Sequence, residues 1–241
     1  MNIFNTTKTR FVSHRGFRPL APDNSLPAFR YAGLLGQWAI ETDVRLTRDG
    51  RVVCCHNDSL EKYCNTDVKI SEITYSDLLE YGILNGNRVE CFRREERRIP
   101  LFSEYLDICR RYGCVPFIEL KTDDAARVIH ESRKHGFEDS EIIISSVLLS
   151  HLKDARRLAP DTFIHWIFAK EDKLGELSEL GNAGLSWKIA DPFSCEPEKV
   201  SVPHSMGLRL CLRAADDIAG LDRMHELGLD YFPTNCLHGD I

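Results

Sequence analysis

The sequence predicts an α/β protein, a closed (β/α)₈ barrel formed as one domain over residues 1–241. Three observations lead there. Short β-prone runs alternate with helix-forming stretches, which implies parallel strands joined by crossovers. Eight such strands fit into 241 residues, the ordinary size of a closed barrel. The ionisable residues suited to chemistry fall at the C-terminal ends of the early strands, where such a barrel keeps its active site. A doubly wound open sheet is the alternative. Its usual sign is missing, because His14-Arg15-Gly16 after the first strand is no G-x-G-x-x-G loop.

The first strand is expected at residues 10–14, followed by a Pro-containing loop at 18–23. Asn24 or Ser25 can cap a helix running to about Gly36, with Phe29, Ala32 and Leu35 on its inner face. The second strand carries Ile40-Glu41-Thr42-Asp43-Val44. Residues 45–55 read as strand, Arg-Asp-Gly turn and strand, a hairpin extension that delivers His56 at its end. Residues 57–100 are polar, with one helical segment near 75–81 and a mixed-charge run at 93–98 that suits a solvated loop. This stretch is expected to be an insertion after the second strand, too poor in apolar periodicity to bury a core of its own.

After the insertion the rhythm is regular. A helix at 101–112 leads to a strand at 115–120, and a helix at 123–135, stopped by Gly136, leads to a strand at 141–146. Helix 148–158, strand 162–168, helix 171–180 and strand 184–189 follow. An irregular stretch reaches residue 202, then come strand 208–213, helix 215–227 and strand 229–234.

Composition narrows the function. Hydrophobic residues at 43% and charged residues at 28% describe an ordinary globular protein. A net charge of −6 argues against a nucleic-acid partner, which calls for a basic face. No apolar run is long enough to cross a bilayer, so stable membrane insertion is not expected. Residues 1–10 hold no signal-peptide core. The nine cysteines form no C-x-x-C pair and read as reduced thiols. A cytoplasmic protein is therefore expected, with no oligomeric state implied.

Glu41 and Asp43 stand two residues apart on one strand, so both side chains leave the same face. Two like charges held together call for a positive partner. Glu119 and Lys121 repeat the spacing on the next barrel strand. Three carboxylates, Glu41, Asp43 and Glu119, suit one hard divalent cation, Mg²⁺ or Ca²⁺. Arg15 and Lys121 supply fixed positive charge for a phosphate. His14 and His56 titrate near neutrality and suit proton transfer in both directions. The set points to displacement at phosphorus on a small-molecule phosphodiester. Plainer roles exist for each residue taken alone: Lys121 can pair with Glu119, Arg15 can cap a helix, and a strand-end histidine is often structural. Their gathering on one rim is harder to explain that way, since buried charge is costly unless paired.

With these residues in view, the sequence resembles the glycerophosphodiester phosphodiesterases. The resemblance runs through S-H-R-G at 13–16, P-D-N-S at 22–25 (usually P-E-N-T), I-E-T-D-V at 40–44, T-R-D-G at 47–50 and V-V-C-C-H-N at 52–57. It continues with I-P-L at 99–101 and I-E-L-K at 118–121, and returns in the tail as G-L-D-Y-F-P-T-N at 228–235. It implies a TIM barrel and one divalent metal on Glu41, Asp43 and Glu119. It also implies His14 and His56 as acid and base, and hydrolysis to glycerol 3-phosphate and an alcohol. In that family the neighbouring glycerol hydroxyl is in some accounts the first nucleophile, giving a cyclic phosphate.

Three positions depart from the pattern. Asn57 stands where Asp usually follows the second histidine, the seventh strand reads Leu210-Cys211-Leu212-Arg213 without its usual Trp, and Asn235 stands where the last strand usually ends in Asp. They are expected to touch the glycerol pocket, and neither the metal ligands nor the two histidines. Alternation leaves two choices on the seventh strand: Leu210 and Leu212 face in, or Cys211 and Arg213 do. An inward Arg213 would favour a substrate with a further anionic group, such as a serine or inositol head. Lys188 and Trp187 could join Arg213 in shaping a different leaving group, but Trp187 better suits core packing and Lys188 a solvated position. Two rival readings remain: a phosphodiesterase acting on lysophospholipid or sphingolipid head groups, and a silent barrel that binds a phosphorylated ligand.

Overall fold

The computed structural model describes residues 2–239. Eight parallel strands form the barrel: β1 (Phe11–Ser13), β2 (Ala39–Leu46), β4 (Val115–Leu120), β5 (Ile143–Ser146), β6 (Phe163–Ile167), β7 (Ala183–Ser186), β8 (Arg209–Cys211) and β9 (Phe232–Thr234). Their order is β8-β7-β6-β5-β4-β2-β1-β9, and β3 (Val52–Cys54) pairs antiparallel with β2 as the expected hairpin. Helices on the outside are α1 (Leu26–Leu34), α4 (Phe102–Tyr112), α5 (Ala125–Lys134), α6 (Leu149–Leu158), α7 (Leu174–Glu179), α8 (Glu198–Ser205) and α9 (Ile218–Glu226). The short helices α2 (Glu61–Cys64) and α3 (Tyr75–Leu78) belong to the insertion.

Alternation along the strands separates two layers. Ile40, Ile118, Ile144 and Ile164 face outward into the main core, where Phe29, Leu106, Ile129 and Leu152 of the helices cover them. Ala39, Phe117, Ile143 and Phe163 face inward and meet Phe4, Trp38 and Tyr231 at the N-terminal end of the barrel. Phe4 packs edge-on against Phe163 at 4.8 Å between ring centroids, and the Trp38 indole donates to the Ile3 carbonyl at 3.0 Å. The segment before β1 thus plugs the barrel floor. Each buried phenylalanine here contributes roughly 1.5–3 kcal/mol.

The barrel is nearly closed rather than fully laced. Between β8 and β9, Asp230 N donates to the Leu210 carbonyl at 2.9 Å and Ala215 N to the Pro233 carbonyl at 3.1 Å. The Asp230 carboxylate accepts from Leu210 N at 2.8 Å. No strand ladder joins this pair among the described residues.

The insertion differs from expectation. Leu60, Tyr63, Ile70, Leu78 and Ile83 are buried together with Val53 and Cys55 of the hairpin and Ile99. The expectation that this stretch buries no core of its own is corrected. Its apolar side chains come from single turns and bends, so no helix is long enough to show a period. The last strands are also shorter than expected. β8 ends at Cys211, which packs inside, while Leu210 and Leu212 lie in the outer core. Arg213 lies beyond the strand end, so alternation does not set its direction. Trp187 is core, with its indole on the Lys199 carbonyl, and Lys188 is exposed. Among the described residues no helix is long and apolar enough to cross a membrane.

Candidate active site

The inward positions change character two residues along the same strands. After Ala39 comes Glu41, after Phe117 comes Glu119, and Asp43 stands beside Glu119 in register. The oxygens of Glu41, Asp43 and Glu119 lie within 4.8 Å of one another, all three residues buried. Burial and the Asp43 charge push Glu41 well above the carboxylate range. The same two causes push Glu119 up to about 7, against the pull of Lys121. For Asp43 burial is again the largest influence, yet Arg15, His56 and Lys121 together hold it below the usual range. The negative charge is therefore concentrated at Asp43.

The loop after β1 is shaped to serve this cluster. Arg15 has φ 60°, an unusual left-handed conformation for a side chain of its size. That turn aims its backbone N–H at Glu41 Oε2, 2.8 Å away. Its guanidinium meanwhile stands 3.2 Å from Asp43 Oδ2 and 3.3 Å from Asp23 Oδ2. Gly16 follows because a Cβ there would lie 2.7 Å from the Ala28 carbonyl carbon of α1. The Ser25 hydroxyl caps α1 by accepting from Ala28 N. Lys121 Nζ donates to Glu119 Oε1 at 2.5 Å and stands 3.6 Å from Asp43 Oδ1. Its expected pairing with Glu119 and its place at the cluster hold together.

Both histidines open on the same cavity, each with Nδ1 facing an amide. His14 Nδ1 is 3.1 Å from Asn235 Oδ1, and His56 Nδ1 is 2.7 Å from Asn57 Oδ1, which corrects the expectation that the departures at 57 and 235 leave the histidines untouched. Burial, then the Arg15 charge, lowers His14 to about 4. Burial also lowers His56, which is only half-buried. Arg45 clamps the His56 carbonyl with two bonds of 3.0 and 2.7 Å, which fixes the hairpin end. The cavity measures about 600 Å³. Its lining includes His14, Arg15, Glu41, His56, Glu119, Lys121 and Arg213, with Asp43 buried beneath. Arg213 is exposed at the mouth and makes no ion pair with the described residues.

Several residues escaped the sequence reading. Asn24, at φ 53°, donates to Asp43 Oδ2 at 2.9 Å and accepts from the Thr42 hydroxyl at 2.8 Å. Asp23 accepts from Lys62 of the insertion at 3.1 Å, which ties the insertion to the Arg15 side of the site. Both stand in the Pro22–Ser25 motif, whose polar pair was a usable signal. His165 lies on the cavity floor, bonded to the Tyr231 hydroxyl at 2.5 Å and the Ser186 hydroxyl at 3.3 Å. It shares the inward face of Phe163, so strand periodicity could have found it.

The three carboxylates fit a hard divalent cation. They offer oxygen donors only, and Asp43 Oδ1 is buried without a hydrogen-bond partner among the described residues.

Known proteins agree with this architecture. The solved structure of an Oleispira antarctica phosphodiesterase, in complex with the product sn-glycerol-3-phosphate, superposes with a TM-score of 0.85 over 98% of this chain and 96% of that one, at 22% identity. A glycerophosphodiester phosphodiesterase of Caldanaerobacter subterraneus subsp. tengcongensis is 27% identical over 246 residues, 95% of this chain and 94% of that protein. A human lysophospholipase D is 30% identical over 102 residues, 41% of this chain and 32% of that protein. The model of the glycerophosphoryl diester phosphodiesterase family matches residues 14–182. That match begins at His14 and runs past Lys121, so it takes in the whole carboxylate cluster and both histidines, and the chain belongs to the glycerophosphoryl diester phosphodiesterase family, as a phosphodiesterase.

Proposed function

We propose that the protein hydrolyses glycerophosphodiesters to glycerol 3-phosphate and an alcohol, using one divalent cation. The observation that carries this reading is the convergence of three carboxylates, two cations and two histidines on one cavity. Glu41, Asp43 and Glu119 would hold the cation. When bound, a Mg²⁺ or Ca²⁺ ion would neutralise charge on the phosphoryl oxygens. Arg15 and Lys121 line the same cavity and would bind those oxygens as well. A third cation, Arg213, stands at the mouth and would favour an alcohol that carries its own negative charge.

Proton transfer falls to the histidines. His14, held neutral, is suited to accept at Nε2 a proton of the attacking water as the new P–O bond forms. His56 is nearer solvent and can regain a proton. It would donate that proton to the departing alcohol oxygen as the old P–O bond breaks. Protons and bonds then balance as hydrolysis of one diester.

The test is a panel of glycerophosphodiesters with Mg²⁺ or Ca²⁺, with glycerol 3-phosphate as the readout. Release that stops in excess chelator, and falls roughly 10²–10⁴-fold in His14→Ala and in His56→Ala, supports the reading. Full activity in chelator sinks the metal role. A histidine variant with normal turnover and weakened affinity recasts that residue as a binding group.

A second reading has its own observation. The cavity wall at the ends of β5 and β6 holds Val147, Ile167 and Phe168, with Val147 and Phe168 46% and 39% exposed. Such a wall suits an acyl chain on the glycerol, as in a lysophospholipid. Faster release from a lysophospholipid than from short-headed diesters would favour it. A silent barrel is disfavoured by the complete set of carboxylates and histidines.

A further inference from the structure

We propose that Asp216 and Asn235 are positioning residues that fix the tautomer and ring orientation of His14, leaving Nε2 as its bare nitrogen. The proposal rests on the acid–base reading of His14 given above, and it accounts for the departure at Asn235.

Parallel pairing sets the geometry. Ser13 and Thr234 are partners on β1 and β9, and His14 N donates to the Thr234 carbonyl at 3.0 Å. His14 and Asn235 are therefore the next residues on adjacent strands, side by side on the rim. The loop after β8 brings Asp216 behind them. Asp216 accepts from Asn235 N at 2.7 Å, from Asn235 Nδ2 at 2.6 Å and from the Thr234 hydroxyl at 3.2 Å.

The orientation of the Asn235 amide follows from two constraints. Asp216 is an exposed carboxylate and only accepts, so the amide end facing it must be the NH₂. Arg18 only donates, and its Nη1 is 2.8 Å from the other end, so that end must be the oxygen. The same oxygen is 3.1 Å from His14 Nδ1. An oxygen that can only accept requires Nδ1 to carry hydrogen. The neutral ring is then left with a lone pair on Nε2. This is an assignment by elimination on both sides of one amide.

The residue type at 235 also gains a cause. Aspartate there would set its carboxylate against that of Asp216, where the amide nitrogen now stands 2.6 Å away. Two carboxylates at that separation repel, and Arg18 could offset only one of them. Asparagine keeps an acceptor on His14 and offers a donor to Asp216. Asn57 presents the same acceptor to His56. No second partner of its amide fixes it among the described residues, so the inference is confined to His14.

The experiment uses the Mg²⁺-loaded enzyme with histidine rings labelled with ¹⁵N. The His14 signals are identified by their loss in His14→Gln. In wild type, Nδ1 is expected to be protonated and Nε2 bare. In Asn235→Leu the ring signals should move toward a mixture of tautomers, and kcat should fall about 10- to 10³-fold with KM changed less than about threefold. The exchange Asp216→Asn with Asn235→Asp restores an acceptor to His14 and a donor behind it. It should return the Nδ1–H ring and at least about tenfold of the lost kcat. A wild-type ring with its proton on Nε2 overturns the proposal, as do unchanged ring signals in folded Asn235→Leu. If Asn235→Leu does not fold, the exchange variant decides, and loss of the Nδ1–H ring there overturns it too. Normal turnover in His14→Gln would sink the acid–base reading by itself. The ring spectra would still decide whether the relay sets the tautomer.

Discussion

At the N-terminal end of the barrel the inward positions are Val12, Ala39, Phe117, Ile143 and Phe163, packed on Phe4, Trp38 and Tyr231. Two residues further along the same strands they are Glu41, Glu119, Ser145 and His165. Backbone and period are shared, and the energetics are opposite. The lower layer removes aromatic surface from water and holds the fold. The upper layer gathers like charges in a buried place, which the fold must support from outside. Helix α1, the Arg15 turn and the hairpin clamp on His56 are that support. A barrel of this kind divides its labour by height, so substitutions at the two levels should move different observables.

The largest separation is expected from Glu41→Gln. Loss of the carboxylate should cost about 10³-fold or more in turnover, since activation by a divalent cation is worth several kcal/mol. Metal-free melting should stay level or rise, because burial and Asp43 already favour the protonated form of Glu41, which Gln resembles in shape. A lower melting temperature with normal turnover would erase the distinction between the layers. Phe163→Ala tests the other side. It should cost about 3–5 kcal/mol by urea unfolding, while kcat of the folded protein at low temperature stays near wild type. A selective loss of kcat there would show that the floor reaches the chemistry.

His165 sits at the boundary and gives a smaller, pH-dependent effect. Burial lowers its pKa from 6.5 to about 3. The unfolded chain therefore binds the proton first, and the stability held in the neutral ring is complete above about 6.5 and lost as pH falls toward 3. Between pH 7.5 and 5 this amounts to about 2 kcal/mol. Urea midpoints of wild type should fall by more than those of His165→Asn over that interval. Equal slopes would mean that protonated His165 is accommodated. The smallest effect belongs to Arg213, exposed at the mouth. Arg213→Ala should slow diesters of anionic alcohols about two- to fivefold relative to a choline diester, the size of a screened charge contact. An equal effect on both would make Arg213 irrelevant to substrate choice.

These levels were unequally legible in the sequence. The strands carrying Glu41, Asp43, Glu119 and Lys121 were readable because a spacing of two on a β-prone run needs no tertiary knowledge. The barrel followed from alternation together with the count of eight strands and the ionisable residues at strand ends. Arg213 was not readable, because β8 stops at Cys211 and alternation loses meaning beyond a strand end. Asn24 and Asp23 were passed over because cap and loop residues have several local uses. Only the fold shows that Asn24 turns toward Asp43 while Ser25 caps α1. The insertion's core was hidden for a related reason: Leu60, Ile70, Leu78 and Ile83 sit on separate turns, which carry no period.

The seam between β8 and β9 has a dynamic consequence. Two backbone bonds and the carboxylates of Asp230 and Asp216 stitch it, where the other neighbouring strands are joined by ladders. Local opening takes the path with the fewest bonds to break. In deuterated water, the amides of Leu210, Asp230 and Ala215 should therefore exchange ahead of those in the β2–β4 ladder. The breathing edge of the barrel would then lie on the flank that carries Arg213, Asp216 and Asn235.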